Sequence, residues 1–202
     1  MDELTADTLV TYERVASEYR ERHDDRSVIT DAIETFLNAL DHEDERVLDV
    51  GCGPGWESAM FSEYGFDVTA IDLAPAFLAA AGKIAPDTVR ARMDMRTLGF
   101  ADDSFDGLWT CASFLHVPLA DACNTLCEFR RVLRPDGVLS CAVRRGEGER
   151  TNNGEAYGKR DDRHFTLYTA ESLRERALGA GFTVETLNEA DDEWLNLLAR
   201  AK

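Results

Sequence analysis

VLDVGCGPG at residues 47–55 places a glycine-rich turn directly after a short apolar run with the character of a β-strand. The residues that follow, 56–64, have the composition of a helix, and Gly65 ends it. Glycines at a strand-to-helix turn allow the chain to bend tightly and let a ligand approach the main chain. This stretch therefore predicts the first β–α unit of an open sheet, with a ligand site at the turn.

Alternating strand and helix patterns continue on both sides of this turn. Two amphipathic helices precede it, and the first has an apolar stripe of Leu9, Tyr12, Val15, Ala16 and Tyr19. We predict strands at residues 46–50, 66–71, 88–93, 105–111, 138–144, 182–187 and 193–199, and helices at 56–64, 76–84, 119–133 and 169–178. This order predicts an α/β fold with a doubly wound, mostly parallel seven-stranded sheet, an antiparallel edge hairpin and an N-terminal helical cover.

The composition excludes several classes of protein. The 202 residues include 39 acidic and 22 basic side chains, a net charge of −17, and 44% hydrophobic residues. Enough apolar residues are present for a buried core, so a disordered chain is excluded. The negative field disfavours nucleic acid or an anionic membrane as a partner. Only three of the basic residues are lysines. Acidic, lysine-poor composition favours a halophilic source, the alternative being an ordinary acidic protein.

Cysteine usage and the N-terminal residues predict a cytoplasmic protein. The five cysteines are an odd number scattered through apolar stretches, which is typical of reduced thiols. Cys123 and Cys127 lie one helical turn apart, but no second pair completes a zinc site, so we expect no metal. Residues 1–26 are highly charged and lack the apolar core of a signal peptide, and no apolar run could span a membrane.

Three carboxylates stand at or near the predicted strand ends beside the glycine turn. Asp49 precedes the glycines and would repel an anionic ligand. Asp72 ends the second strand, where a carboxylate can accept two hydrogen bonds from a ribose diol. Asp94 follows the third strand and could accept a hydrogen bond from an adenine amine. Trp56 replaces the third glycine of a dinucleotide fingerprint, and no Gly-Lys-Ser/Thr of a phosphate-binding loop is present. A neutral or cationic ligand is favoured.

Several motifs in order now resemble the class I S-adenosylmethionine-dependent methyltransferases, which have a Rossmann-like fold. They are VLDVGCGPG (47–55), VTAIDLAPAFL (68–78), RMDMRTLGFADDSFDGLWTCASFLHV (92–117) and FRRVLRPDGVL (129–139). The segments TYERVASEYRERH (11–23) and HFTLYTAESLRERALGAGFTVE (164–185) are similar to the small-molecule branch of that family. The resemblance implies S-adenosyl-L-methionine as cofactor and a single domain over 1–202. Its parts would be a helical cap (1–42), a cofactor-binding core (43–144), a possible lid loop (145–168) and a C-terminal helix with edge strands (169–202).

The resemblance also implies roles for individual residues. The methionine portion of the cofactor would lie against Asp49, Gly51, Cys52, Gly53 and Gly55. Asp72 would hold the ribose hydroxyls, and Leu73 would lie against the adenine ring. Asp94 and Met95 would recognise the edge of the adenine. Cys111 would present its backbone near the amino group of the cofactor. CASF at 111–114 stands where nucleobase and glutamine methyltransferases have an Asn-Pro-Pro-Tyr-like tetrad, so those acceptors are not supported.

Methyl transfer from a sulfonium mainly requires alignment, and sometimes removal of a proton. His116, just after the fourth strand, is our candidate base, with a structural histidine as the alternative. Tyr12 and Tyr19 could close over the sulfonium, or they could be buried core residues of the two N-terminal helices. Arg163, His164 and Tyr168 follow the glycine-bearing segment and could reach the pocket mouth or form plain loop surface.

Three functions remain open from the sequence. We expect a methyltransferase acting on an unidentified small molecule. The alternatives are an S-adenosylmethionine-binding regulatory protein without transfer activity and an RNA-modifying methyltransferase. The missing basic patch argues against the RNA enzyme.

Overall fold

A seven-stranded sheet forms the centre of the computed structural model, which describes residues 1–40, 45–189 and 193–202. The strands of the protein are β1 (Arg46–Val50), β2 (Asp67–Asp72), β3 (Val89–Arg92), β4 (Phe105–Cys111), β5 (Leu133–Arg144), β6 (Gly148–Thr151), β7 (Gly154–Ala156), β8 (Lys159–Asp161), β9 (His164–Leu167), β10 (Phe182–Glu189) and β11 (Trp194–Ala201). The central sheet has the order β10-β11-β5-β4-β1-β2-β3, and β11 is antiparallel to both of its neighbours. The prediction of a mostly parallel sheet with an antiparallel edge is confirmed.

Helices pack on both faces of this sheet. They are α1 (Glu3–Arg22), α2 (Thr30–Ala39), α3 (Trp56–Glu63), α4 (Pro75–Ile84), α5 (Ala122–Val132) and α6 (Ala170–Gly179), with short 3-10 turns at Ser27–Ile29 and Phe114–His116. On one face Phe36 of α2 packs against Phe61 and Trp109, and all three are buried. On the other face Leu126 and Phe129 of α5 enter the larger apolar core. Strand order reverses between β1 and β4, so a ligand crevice is expected above their carboxyl ends.

The segment expected to be an irregular loop is the main correction. Residues 145–163 contain strands β6, β7 and β8. β7 pairs with β8, and β6 pairs with β9, in two small antiparallel sheets. These strands are three or four residues long, too short for a clear alternation of apolar and polar residues. The sequence therefore carried no periodic signal for them.

Several predicted boundaries also shift. β5 begins at Leu133 and not at residue 138, so RPDG at 134–137 belongs to the strand, with Asp136 at φ 64°. α5 begins at Ala122 and not at residue 119, because a turn from Pro118 precedes it. The predicted boundary between cap and core, at residues 42 and 43, lies outside the described residues.

Helix α1 lies across the crevice at the carboxyl edge of the sheet and contacts α4, β8 and β9. Its N-cap is Asp2, whose side chain accepts a hydrogen bond from the Thr5 amide at 3.0 Å. The buried face of the helix includes Thr11, Val15 and Ala16. α1 therefore forms a wall of the crevice.

Among the described residues, no helix has the length and hydrophobicity that a bilayer crossing requires.

Candidate functional site

The glycine turn after β1 is held against the segment that follows β4. Gly51 has a φ of +70°, and a Cβ at this position would overlap the side chain of Ser113. The Ser113 hydroxyl donates a hydrogen bond to the Val50 carbonyl at 2.6 Å. The amides of Gly51 and Cys52 both donate to the Ile71 carbonyl, at 2.8 and 3.0 Å. Only glycine can occupy position 51, because the backbone conformation and the close neighbour both exclude a side chain.

Asp72, at the end of β2, is fixed by the same turn. Its carboxylate accepts hydrogen bonds from the Gly53 amide at 3.0 Å and the Ala74 amide at 2.8 Å. Burial raises the pKa of Asp72 to about 6, although the backbone hydrogen bonds oppose this shift. Each carboxylate oxygen keeps a further lone pair for a ligand.

A first cavity of about 120 Å³ lies between the glycine turn, β2 and α1. Seven of the ten residues predicted to hold a cofactor line it: Gly51, Gly53, Asp72, Leu73, Asp94, Met95 and Cys111. The other three, Asp49, Cys52 and Gly55, do not line the cavity. A Cβ added to Gly55 would lie 2.8 Å from the Cβ of Ala81, so this glycine allows α4 to pack against the turn.

Asp49 is a buried carboxylate beneath the turn. It accepts a hydrogen bond from the Ser58 hydroxyl at the start of α3. Burial, reinforced by the nearby Glu57, raises the pKa of Asp49 to about 8. Asp49 is therefore largely protonated near pH 7 and supports the turn from below, without lining the cavity.

Asp94 enters the first cavity as half of an ion pair. Arg96 Nε donates to its Oδ1 at 3.0 Å, and a terminal nitrogen of the same guanidinium donates to Oδ2 at 2.7 Å. Burial alone would raise the pKa of Asp94, but the hydrogen bonds from Arg96 hold it below its usual value. Arg96 also pairs with Asp2 of the α1 cap and with Asp121. The carboxylate is thus ionised and oriented, and its partner ties α1 to the core.

His116 and Tyr12, from the middle of α1, form a hydrogen-bonded pair. His116 Nδ1 lies 2.6 Å from the His164 carbonyl, which can only accept, so Nδ1 carries the proton. Burial lowers the pKa of His116 to about 4, so the ring is neutral near pH 7. Its Nε2 is therefore the acceptor at 2.8 Å from the Tyr12 hydroxyl, which donates. Arg163 lies 3.4 Å from the same hydroxyl.

A second cavity of about 510 Å³ adjoins the first. Five residues line both: Tyr12, Tyr19, Cys111, Ala112 and His116. Burial raises the pKa of Tyr19 well above its usual value, so its phenol stays neutral. The two spaces therefore meet at the tyrosines and at His116, where a group bound in one would face a group bound in the other.

Of the three residues expected near the pocket mouth, the structure brings only Arg163 to a cavity wall. The His164 side chain is buried, and the residue reaches the site through its carbonyl, which accepts from His116. Tyr168 is fully buried and stacks on Phe114 in the core. The expectation of a loop at this point is corrected, because His164 belongs to β9 and Tyr168 follows it directly.

Several residues of the site were not predicted from the sequence. Thr5 and Thr8 of α1 line the first cavity, and Ser113 holds the turn. Arg26, Arg144, Arg150, Tyr157 and Trp194 line the second cavity. The sequence contained one usable signal for this set, since arginines at 144–145 and 150 stand out after a strand end in an acidic chain.

No group of three histidine, cysteine or carboxylate side chains suited to a metal occurs in the described part of the chain.

Comparison with protein families identifies one match at this site. Residues 48–141 match the family model described as "Methyltransferase domain". The matched range begins inside β1 and ends inside β5, so it includes the glycine turn, Asp72, Asp94 and His116.

Known proteins of similar sequence include two methyltransferases. The chain is 34% identical over 125 residues to 2-methyl-6-phytyl-1,4-hydroquinone methyltransferase of Synechocystis sp., covering 60% of this chain and 35% of that protein. It is 34% identical over 128 residues to malonyl-[acyl-carrier protein] O-methyltransferase of Enterobacter lignolyticus, covering 63% of this chain and 49% of that protein. The chain therefore spans half or less of the length of these curated relatives.

A solved structure matches nearly the whole chain. It is the 1,6-didemethyltoxoflavin-N1-methyltransferase of Burkholderia thailandensis, crystallised with 1,6-didemethyltoxoflavin and S-adenosylhomocysteine. The TM-score is 0.81 at 22% identity, and the match covers 99% of this chain and 89% of that chain. At this identity the likeness establishes the fold.

Proposed function

This chain belongs to the class I S-adenosylmethionine-dependent methyltransferase family, and from that membership we propose that it transfers a methyl group from S-adenosyl-L-methionine to a small-molecule acceptor. The observation that carries the proposal is the pair of adjoining cavities. One lies beside the glycine turn and Asp72, the other has a larger volume, and both are lined by Tyr12 and His116. A donor and an acceptor bound in these spaces would meet at the shared wall.

The residues of the first cavity fit the donor. Asp72 retains acceptor capacity for the two ribose hydroxyls, and Leu73 supplies an apolar wall for adenine. Asp94 and Met95 would take the adenine edge, and the Cys111 backbone would lie near the amino group. A Cβ added at Gly53 would meet nothing within 4 Å, so this glycine leaves open space for the methionine portion. Among the described residues of this cavity Arg96 is the one arginine, and it is paired with carboxylates, so the site suits a cation.

The donor supplies an electrophilic methyl group on a sulfonium, and the protein mainly aligns the acceptor with it. Tyr12 and Tyr19 from α1 cover the junction of the cavities and exclude water, which would screen the electrostatics of the site. We assign the segment 1–42 to a cap and 145–168 to a lid in this proposal. Arg163 contacts the acceptor, whereas His164 positions His116 through its carbonyl.

His116 is the proposed base for an acceptor that must lose a proton. Its Nε2 is unprotonated near pH 7 and faces the junction of the two cavities. In the described structure Tyr12 donates to this nitrogen, so the hydroxyl stands between His116 and the acceptor space. The acceptor either displaces the Tyr12 hydroxyl or passes its proton through it to Nε2. In both cases the proton ends on His116.

Two experiments test the proposal at separate steps. Calorimetry is expected to find micromolar binding of S-adenosylmethionine and S-adenosylhomocysteine and no binding of NAD. Release of radiolabelled methyl product from an acceptor library tests transfer, and donor binding without any product would favour the regulatory alternative.

The proposed compartment is the cytoplasm of a salt-rich cell, supported by five free cysteines and the acidic composition.

A further inference from the structure

The described lining of the second cavity has basic side chains and no acidic ones, in contrast to the acidic composition of the chain. Arginines from four separate segments line it: Arg26, Arg144, Arg150 and Arg163. Among the described residues that line it, none is an aspartate or a glutamate, although the chain has 39 acidic residues and 22 lysines and arginines. A positive wall in so acidic a chain concentrates an anionic ligand, because the field of the cavity opposes that of the surrounding surface.

The carboxylates that pair with these arginines lie outside the cavity lining. Glu57 pairs with Arg26, and Asp161 takes two hydrogen bonds from Arg163, at 2.8 and 2.9 Å. In both of these pairs the carboxylate is more buried than the guanidinium. Arg144 pairs with Glu193 at 2.6 Å, and there the carboxylate is the more exposed partner. One terminal nitrogen of Arg163 stays on the cavity side, 3.4 Å from the Tyr12 hydroxyl.

Arg150, on β6, is the arginine best placed to bind a ligand. It is exposed, and its guanidinium lies 5.8 Å from the centre of the Phe165 ring. Within residues 1–40, 45–189 and 193–202, no carboxylate forms an ion pair with it. Arg150 therefore presents a guanidinium with free donors to the cavity. A planar guanidinium can donate two parallel hydrogen bonds to one carboxylate or phosphate.

Aromatic side chains form much of the remaining wall. Tyr19, Tyr157, Phe165 and Trp194 line the same cavity. Arg163 lies over Tyr157 and Phe165, 5.6 and 5.4 Å from the ring centres, so aromatic faces and guanidinium groups alternate around the space. Such a wall binds a flat apolar body and, at its edge, a charge.

We propose that the acceptor is an aromatic molecule that carries an anionic group, a carboxylate or a phosphate, and that Arg150 binds this group. The assignment rests on the proposed function, because it takes the second cavity as the acceptor site. Arg163 and the aromatic residues hold the ring, and Arg150 holds the anion at the side of the cavity formed by β6. The cavity thus selects acceptors by charge.

The test measures binding of matched anionic and neutral compounds by calorimetry, with and without S-adenosylhomocysteine. Salicylate and 4-hydroxybenzoate are compared with their carboxamides, and phenyl phosphate is compared with phenol. At least one anion is expected to bind about tenfold or more tightly than its neutral counterpart, as for a charge-assisted hydrogen bond. The pair that shows the preference distinguishes a carboxylate from a phosphate.

Arg150→Gln should remove that preference, and Arg174→Gln should retain it. Arg174 is an exposed arginine of α6 that lines neither cavity, so it serves as the matched control. The proposal is overturned if no anion is preferred, if Arg150→Gln keeps the preference, or if Arg174→Gln loses it equally. If S-adenosylhomocysteine does not bind while the anion preference remains, the proposed function fails and the anion site stands.

Discussion

We propose that donor binding depends most on Asp72, because both of its oxygens are held in place by backbone amides. Asp72→Asn keeps the shape and removes a charged acceptor, so the affinity for S-adenosylmethionine should fall by roughly 1–3 kcal/mol in calorimetry. Asp87→Asn, an exposed change beyond α4, is the control and should leave the affinity unchanged. Equal affinity in both variants would remove Asp72 from the donor site.

The same carboxylate predicts a pH dependence. Burial raises the pKa of Asp72 to about 6, and ribose hydroxyls need the ionised form as acceptor. Donor affinity should therefore increase as the pH rises from about 5 to 7. Stability of the protein without ligand changes in the opposite direction. The folded pKa exceeds the usual value, so the contribution of Asp72 to stability falls as the pH rises from about 4 to 6. Calorimetry measures the pH dependence of donor affinity, and thermal melts measure the pH dependence of stability. Asp72→Asn should reduce both pH dependences.

His116 gives a second prediction at the residue scale. His116→Ala should lower turnover by about 10²-fold or more while donor affinity stays nearly intact. Because burial lowers the pKa of His116 to about 4, turnover should show no loss near pH 6.5 from protonation of this ring. Tyr12→Phe, which removes the hydroxyl hydrogen-bonded to Nε2, separates the two proton routes: turnover falls only if Tyr12 relays the proton. Full activity of His116→Ala would return His116 to a structural role.

At the scale of elements, α1 is held over the crevice by contacts near both of its ends. The Asp2 cap pairs with Arg96, and Glu18 pairs with Lys159 of β8 at 2.6 Å. Asp2→Ala removes the cap and this ion pair, at a cost of about 1 kcal/mol for the cap. Hydrogen exchange of residues 3–10 and release of S-adenosylhomocysteine should both become faster. Asp7→Ala, on the exposed side of the same helix, is the control, and equal exchange in the two variants would contradict a closing role for α1.

At the scale of the whole molecule, the net charge of −17 on 202 residues predicts salt-dependent folding. Counterions screen the self-repulsion of the folded surface, so the thermal midpoint should rise between about 0.1 and 2 M KCl. Sucrose at matched osmolality is the control, because it stabilises by exclusion without screening charge. A flat or falling midpoint in KCl would contradict the halophilic interpretation.

The order of strands and helices, the antiparallel edge and the carboxyl-edge site could all be predicted from the residues alone. Apolar periodicity and glycine spacing are local signals, and parallel strands bring their carboxyl ends to one edge wherever the helices lie. The same reasoning identified Asp72, Asp94 and His116, since each follows a predicted strand. It missed β6, β7, β8 and β9, because strands of three or four residues are too short to show a clear alternation of apolar and polar residues.

The protonation states and the charge of the acceptor space depend on contacts that no local pattern contains. Tyr12 and His116 are 104 residues apart, and their hydrogen bond, with the His164 carbonyl, determines which ring nitrogen is free. Burial of Asp49 raises its pKa to about 8, although its neighbours in sequence resemble those of any strand-end carboxylate. The arginine-lined wall combines residues 26, 144, 150 and 163, which line one cavity only once β5, β6 and the segments after α1 and β8 have packed. Sequence thus determined the fold and the sheet edge that carries the candidate site, whereas packing determined which charged groups line its cavities.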